Sequence, residues 1–205
     1  MPIKITLRKS KDISPFRRLL NMLFSSPVGQ SAILCSGYIW QPNTGKYNIL
    51  DDGLRNAIAS GCSGGSLTTV AGKFYPSYYE NYYRNFVRDL RANGIKVNAY
   101  YAPKKNWHAK VAIKLNNNIP IAALVGSSNL TGHAYGENRN WNFEADVLIW
   151  SRNTAGSGYF RDDDINQEMG KMELILDPDI HQPDEDAQLK SIMQDIIEAE
   201  LEIFD

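Results

Sequence analysis

The stretch Trp107-His108-Ala109-Lys110-Val111-Ala112-Ile113-Lys114-Leu115 is followed by Asn116-Asn117-Asn118 and then by Ile119-Pro120-Ile121-Ala122-Ala123-Leu124-Val125. Apolar side chains hold the odd positions from Ala109 to Leu115, while His108, Lys110 and Lys114 hold even ones. This alternation predicts a strand over His108 to Leu115 with His108 and Lys110 on one face. The second run is apolar at almost every position, as a central strand covered on both faces requires. The three asparagines between them tolerate left-handed backbone, so the two strands are expected to form an antiparallel hairpin. With Leu115 facing Ile119, the register sets His108 across from Gly126, and Ser127, Ser128 and Asn129 emerge beside it. An imidazole, an ammonium, hydroxyls and a carboxamide thus meet at one sheet edge. Asn129 can also open a short helix whose free N–H groups suit an anion.

Outward from this hairpin, helical and extended patterns alternate. Ser14 caps a helix over Pro15 to Phe24, and Ser31 to Trp40 reads as one buried strand. Asp51 or Asp52 caps a helix to about Ala59, and the Gly61 to Gly65 cluster separates it from a strand at Leu67 to Ala71. Pro76 opens a longer helix to Ala92, closed by Asn93-Gly94. Its stripe of Tyr79, Tyr83, Phe86 and Leu90 faces the core, and Arg84, Arg88 and Arg91 lie on the opposite face, solvated or in contact with phosphates. Further strands are expected at Ile95 to Tyr101, Phe143 to Trp150 and Met172 to Leu176. Asp184 to Phe204 reads as an amphipathic acidic helix. The pattern is that of an α/β chain with a mixed β-sheet flanked by helices on both faces. One domain over residues 1–205 is expected, ending in an acidic helical segment from about residue 151.

Composition excludes several classes. Of 205 residues, 43% are apolar and 22% charged, which is neither disordered nor fibrous. With two cysteines the fold owes nothing to a disulfide framework, and a reduced, cytoplasmic setting is the expectation. No apolar run approaches the ~20 residues of a membrane span. The formal net charge of -1 hides an asymmetry. Residues 1–150 hold 18 Lys and Arg against 8 Asp and Glu, whereas residues 151–205 hold 4 against 15. A basic body suits a polyanion, and the acidic segment can compete for the same surface. No phosphate-binding glycine loop of the G-x-x-x-x-G-K-[ST] type occurs, and His133 and His181 have no partners at zinc-ligand spacing, so no metal or cofactor is expected.

His108-Ala109-Lys110, a strand, and then Gly126-Ser127-Ser128-Asn129 resembles the HxK...GSxN signature of the phospholipase D superfamily. The resemblance covers about residues 95–150. It implies a phospholipase D-like sheet and a single catalytic domain, and it extends to Glu144, which stands on the strand after the Asn as in superfamily nucleases. Glu137 is the rival position, and Glu144 is preferred because a strand anchors it. Two departures stand out: Leu115 occupies the place of the Asp that commonly follows the Lys, and the stretch Gly132 to Trp141 is lengthened.

The resemblance further implies a mechanism in which one His attacks phosphorus and forms a phosphohistidine while a second His protonates the leaving oxygen. This chain holds one copy of the motif, so a complete site calls for a homodimer with the active site at the interface. Lys110 and Asn129 of both chains are then expected on the phosphate, with Ser127 or Ser128 in support and Glu144 orienting His108. The basic body and the segment Lys104-Lys105-Asn106-Trp107 favour DNA as substrate. A single-motif chain of this length resembles the EDTA-resistant nucleases and the catalytic domains of metal-independent restriction endonucleases, where a separate specificity domain or subunit reads the sequence. The alternatives are a phospholipid or other phosphodiester hydrolase, and a non-catalytic domain of the same fold that binds nucleic acid or a partner.

Overall fold

The computed structural model describes residues 2–8, 14–40, 51–72, 78–102, 107–135, 141–142, 144–153, 157–161 and 173–176, with Lys190, Gln194 and Glu202–Ile203 beyond them. The strands are β1 (Ile3–Leu7), β2 (Ser31–Ser36), β3 (Ile39–Trp40), β4 (Leu67–Ala71), β5 (Val97–Tyr101), β6 (Val111–Asn116), β7 (Ile119–Gly126), β8 (Leu130–Thr131), β9 (Ala145–Trp150), β10 (Glu173–Leu176) and β11 (Glu202–Ile203). Three helices join them, α1 (Pro15–Ser25), α2 (Asp52–Gly61) and α3 (Tyr78–Ala92), with a 3-10 turn at Ser157–Arg161. Among the described residues the main sheet has nine strands in the order β10-β1-β9-β7-β6-β2-β4-β5-β11, and β3 pairs with β8 in a small second sheet. Strands β2, β4 and β5 run parallel to one another, while β6, β7, β9 and β1 alternate in direction, which makes the sheet mixed as expected.

The helix starts follow from their caps. The Ser14 hydroxyl accepts the Arg17 N–H at 3.2 Å with Pro15 in the first turn, and an Asp51 carboxylate oxygen accepts the Leu54 N–H at 2.8 Å. Leu19, Leu20, Leu23, Ile58, Tyr83, Phe86 and Leu90 carry α1, α2 and α3 onto one sheet face, where they meet Leu34, Ala112, Leu124 and Leu148. On the other face Ile33, Cys35, Val70, Val111, Ile113, Leu115 and Ala123 form a second buried cluster. Most of the helix expected over Asp184 to Phe204 lies outside the described residues.

Lys114 is fully enclosed on the helical side. Its ammonium donates to the carbonyls of Phe24 and Gly61, in the last turns of α1 and α2, where the helix dipoles favour a cation. Burial lowers the Lys114 pKa and raises that of the neighbouring Cys62 thiol.

Several expectations need correction. Strand β1 was not anticipated, although Ile3, Ile5 and Leu7 alternate with Lys4, Thr6 and Arg8; the run is short and its polar face is buried, so it lacks the usual signature of a half-solvated strand. The run from Ser31 to Trp40 is two strands, because the chain leaves the main sheet at Gly37 and Tyr38. The acidic segment is not helical throughout. Its β10 lies within the strand expected at Met172 to Leu176 and pairs with β1, and its β11 pairs with β5, so among the described residues it supplies both edges of the sheet. Lys190 and Gln194 are helical, and Glu202–Ile203 is extended, within the span expected as one helix.

Candidate active site

The ends of β1, β2, β4, β5 and β7 and the beginnings of β6 and β9 lie along one edge of the sheet. Every residue of the HxK and GSSN segments emerges there. The hairpin turn is Asn117-Asn118, both left-handed at φ 50° and 64°, and a bulge shifts the register between Lys114 and Leu115. Leu115 consequently faces Pro120 rather than Ile119, and the Gly126 N–H donates to the Lys110 carbonyl at 3.2 Å. Lys110, not His108, is level with Gly126. Strand β6 begins at Val111, so His108 lies on irregular chain two residues beyond that level.

Two glycines bring this irregular chain in. At Gly72, just past β4, a Cβ would stand 2.5 Å from Trp107 Cβ. At Gly37, just past β2, a Cβ would stand 2.8 Å from the Trp107 carbonyl oxygen, 3.3 Å from Asn129 Oδ1 and 3.5 Å from His108 Cα. The bare backbone of Gly37 is therefore where the His and the Asn converge. The break between β2 and β3 that the sequence concealed is part of the site.

The loop after β7 is held by carboxylates. The Ser127 hydroxyl donates to Glu144 Oε2, and Glu144 Oε1 accepts from Asn142 Nδ2 at 3.0 Å. Ser128 is bonded to Asp146, and Asn129 Oδ1 accepts the Tyr38 N–H at 3.2 Å. The Leu130 N–H donates to Ser36 Oγ at 3.0 Å, and β8 then continues beside β3. No short helix starts at Asn129; this two-residue strand takes its place. His108 is exposed and Glu144 buried. The Glu144 carboxylate accepts from both Ser127 and Asn142 and so supports the serine loop.

Asp146 is the residue that the sequence reading missed. It stands on β9 two positions after Glu144, which lies just before the strand; both are buried, and burial pushes the Asp146 carboxyl up to about 6. The signal was present in the i, i+2 spacing of Glu144 and Asp146.

The expected nucleic-acid contacts fare unevenly. Lys104 and Lys105 lie outside the described residues, as does Glu137. Trp107 packs against the second apolar cluster, and its indole N–H donates to the Ala109 carbonyl at 3.2 Å. Arg84 pairs with Glu80 at 2.8 Å on α3, Arg88 approaches Asp89 at 3.8 Å, and Arg91 donates to the carbonyl of Val97 at the opposite end of β5. Arg91 is thereby held at the end of β5 away from the site edge. Among the described residues no three His, Cys, Asp or Glu side chains are grouped as metal ligands, and no helix is long and apolar enough to cross a membrane.

No family model matches the chain, and no curated protein is similar to it in sequence. Among solved structures, a phosphatidylserine synthase from Haemophilus influenzae superposes over 95% of this chain with a TM-score of 0.53 at 13% identity. A polyphosphate kinase from Porphyromonas gingivalis matches 80% of the chain at 14% identity and a TM-score of 0.46, over 24% of its own length. NucT from Helicobacter pylori matches 85% of the chain and 99% of its own at 13% identity and a TM-score of 0.44. This chain spans 45% of the length of the synthase. At such identities the likeness is one of fold: the chain shares its mixed α/β architecture with the phosphatidylserine synthase.

Proposed function

We propose that this protein is a phosphodiesterase, and specifically a metal-independent DNA endonuclease of the restriction type that works through a phosphohistidine in a homodimeric site. The observation that carries the reading is the convergence of His108 and Asn129 on Gly37, with Lys110 level with Gly126 on the same sheet edge.

A phosphodiester needs a nucleophile, neutralisation of its non-bridging oxygens and a proton for the leaving alkoxide. His108 of one protomer attacks phosphorus, a P–N bond forms and the P–O bond to the leaving group breaks. His108 of the second protomer, protonated beforehand, gives its proton to that oxygen. It then takes a proton from water, which attacks the phosphohistidine, breaks the P–N bond and frees the first imidazole. Two identical imidazoles must hold opposite protonation states, which bound substrate and coupled titration arrange. Lys110 and Asn129 of both chains supply the cations and N–H donors that stabilise charge on the equatorial oxygens.

The choice of DNA rests on the 18 basic against 8 acidic residues of the first 150. A specificity domain or subunit supplies sequence recognition in this reading. The test incubates the protein with plasmid DNA and, separately, with phosphatidylcholine vesicles, each with and without EDTA. Cleavage of plasmid in EDTA is expected. Release of choline with intact plasmid would move the substrate to lipid, and inertness toward both would leave a binding domain.

A further inference from the structure

Ser128 is the enclosed member of the Gly126–Asn129 turn, 1% exposed. Its backbone N–H donates to Asp146 Oδ1 at 3.3 Å and its hydroxyl to Asp146 Oδ2 at 2.7 Å, so a single residue occupies both oxygens of one carboxylate. On β9, Asp146 lies opposite Thr6 of β1 on one side and Gly126 of β7 on the other. The bare backbone of Gly126 admits it: a Cβ built there falls 2.0 Å from Asp146 Oδ1. The carboxylate thus passes over Gly126 and reaches the residue immediately before Asn129.

An aspartate at this place is costly to the fold. It is 2% exposed, and desolvation lifts its carboxyl to about 6 even though both Ser128 bonds favour the charged form, with Glu144 adding repulsion. A neutral residue of the same size would fill the space without that cost.

We propose that Asp146 is a positioning residue: as a carboxylate it grips Ser128 and thereby holds the adjacent Asn129 carboxamide at the edge where His108 and Lys110 emerge. That Asn129 there meets a phosphate rests on the phosphodiesterase reading above; the clamp itself does not.

Among the described residues the charged groups around Asp146 are few. Glu144 precedes it by two residues, just before β9 begins. Lys4 and Arg8 flank Thr6 on the buried face of β1, and Arg8 donates to the carbonyls of His133 and Ala134 at 2.9 and 2.8 Å. The described part of β7 carries no charged side chain. Ser128 offers two donors to Asp146, so a proton on the carboxyl removes one acceptor and loosens the turn.

The test uses the full chain with His108→Ala in every variant, which removes the neighbouring imidazole from the titration. The 15N resonance of the Asn129 side-chain amide is followed from below to above the Asp146 midpoint of about 6, and sulfate, whose charge is constant over that range, serves as the anion probe. The Asn129 resonance and the sulfate affinity of the Asp146 protein should both change with that midpoint. In Asp146→Asn the Asn129 midpoint should vanish and sulfate binding should weaken about tenfold. Ser128→Ala should do the same, and the double variant should be no worse than either single one, because both act through one contact. An Asn129 resonance indifferent to pH, or sulfate affinities equal across the series, overturns the clamp. Plasmid cleavage by the chain with His108 intact is scored separately. A protein with the Asn129 response that cleaves nothing keeps the clamp and loses the nuclease reading, while one that cleaves without the response does the reverse.

Discussion

Asn129 Oδ1 accepts the backbone N–H of Tyr38 at 3.2 Å, which turns the two N–H donors of the carboxamide away from β3. A carboxylate at this position could still accept from Tyr38 but would offer negative charge in place of those donors. Asn129→Asp should therefore fold, yet lose hydrolysis by about 10²-fold or more, the usual cost of removing an oxyanion donor. Plasmid nicking rates beside thermal melting curves check this; an unchanged kcat/KM would remove Asn129 from the site.

His108→Ala should abolish cleavage without disturbing the fold, since His108 is exposed and its segment is held through Trp107. Loss of a general acid alone costs roughly 10²–10⁴-fold, and here the nucleophile goes with it. A phosphohistidine trapped at low pH should map to His108. Parent activity should persist in EDTA; a strict need for added divalent metal would sink the mechanism.

The active species should be a dimer, because one chain carries one His-x-Lys. Light scattering should report twice the 23.1 kDa of the chain. Specific activity should fall on dilution through the dissociation constant, and a monomer with concentration-independent activity contradicts it.

Asp146 makes stability depend on pH in the sense opposite to most carboxylates. Its folded pKa is about 6 against 3.8 when unexposed to the protein, so the folded state binds the proton more tightly. The contribution is fully present below about 3.8 and is lost as pH rises through about 6. Asp146→Asn should flatten that part of the stability curve and raise stability at neutral pH by about 3 kcal/mol. Urea unfolding of the two proteins across this range decides; a variant less stable than the parent at neutral pH would show that the Ser128 bonds outweigh desolvation.

Lys114 should matter to folding and not to chemistry. Lys114→Ala leaves the carbonyls of Phe24 and Gly61 without their shared donor and opens a cavity between α1, α2 and β6. A loss of about 3 kcal/mol is expected in chemical unfolding, with kcat of the surviving folded fraction unchanged.

The alternation around His108 to Leu115, the two caps at Ser14 and Asp51, and the apolar faces of α1 to α3 were legible because each depends on a local period or a side chain reaching three residues along. His108, Lys110 and Asn129 were grouped through the expected hairpin, and Glu144 joined them only through the resemblance to the HxK...GSxN signature. What no local rule contains is distance across the sheet. The approach of Gly37 to Trp107 and Asn129 and the pairing of Ser128 with Asp146 each join separate segments of the chain. Their cause is steric: bare backbone at Gly37, Gly72 and Gly126 leaves room that a side chain on the neighbouring segment fills. Glu144 shows the division most plainly. The sequence predicts it within a strand from Phe143, but β9 begins at Ala145 and Glu144 precedes it, and its hold on Ser127 and Asn142 was decided by how β9 docks beside β7.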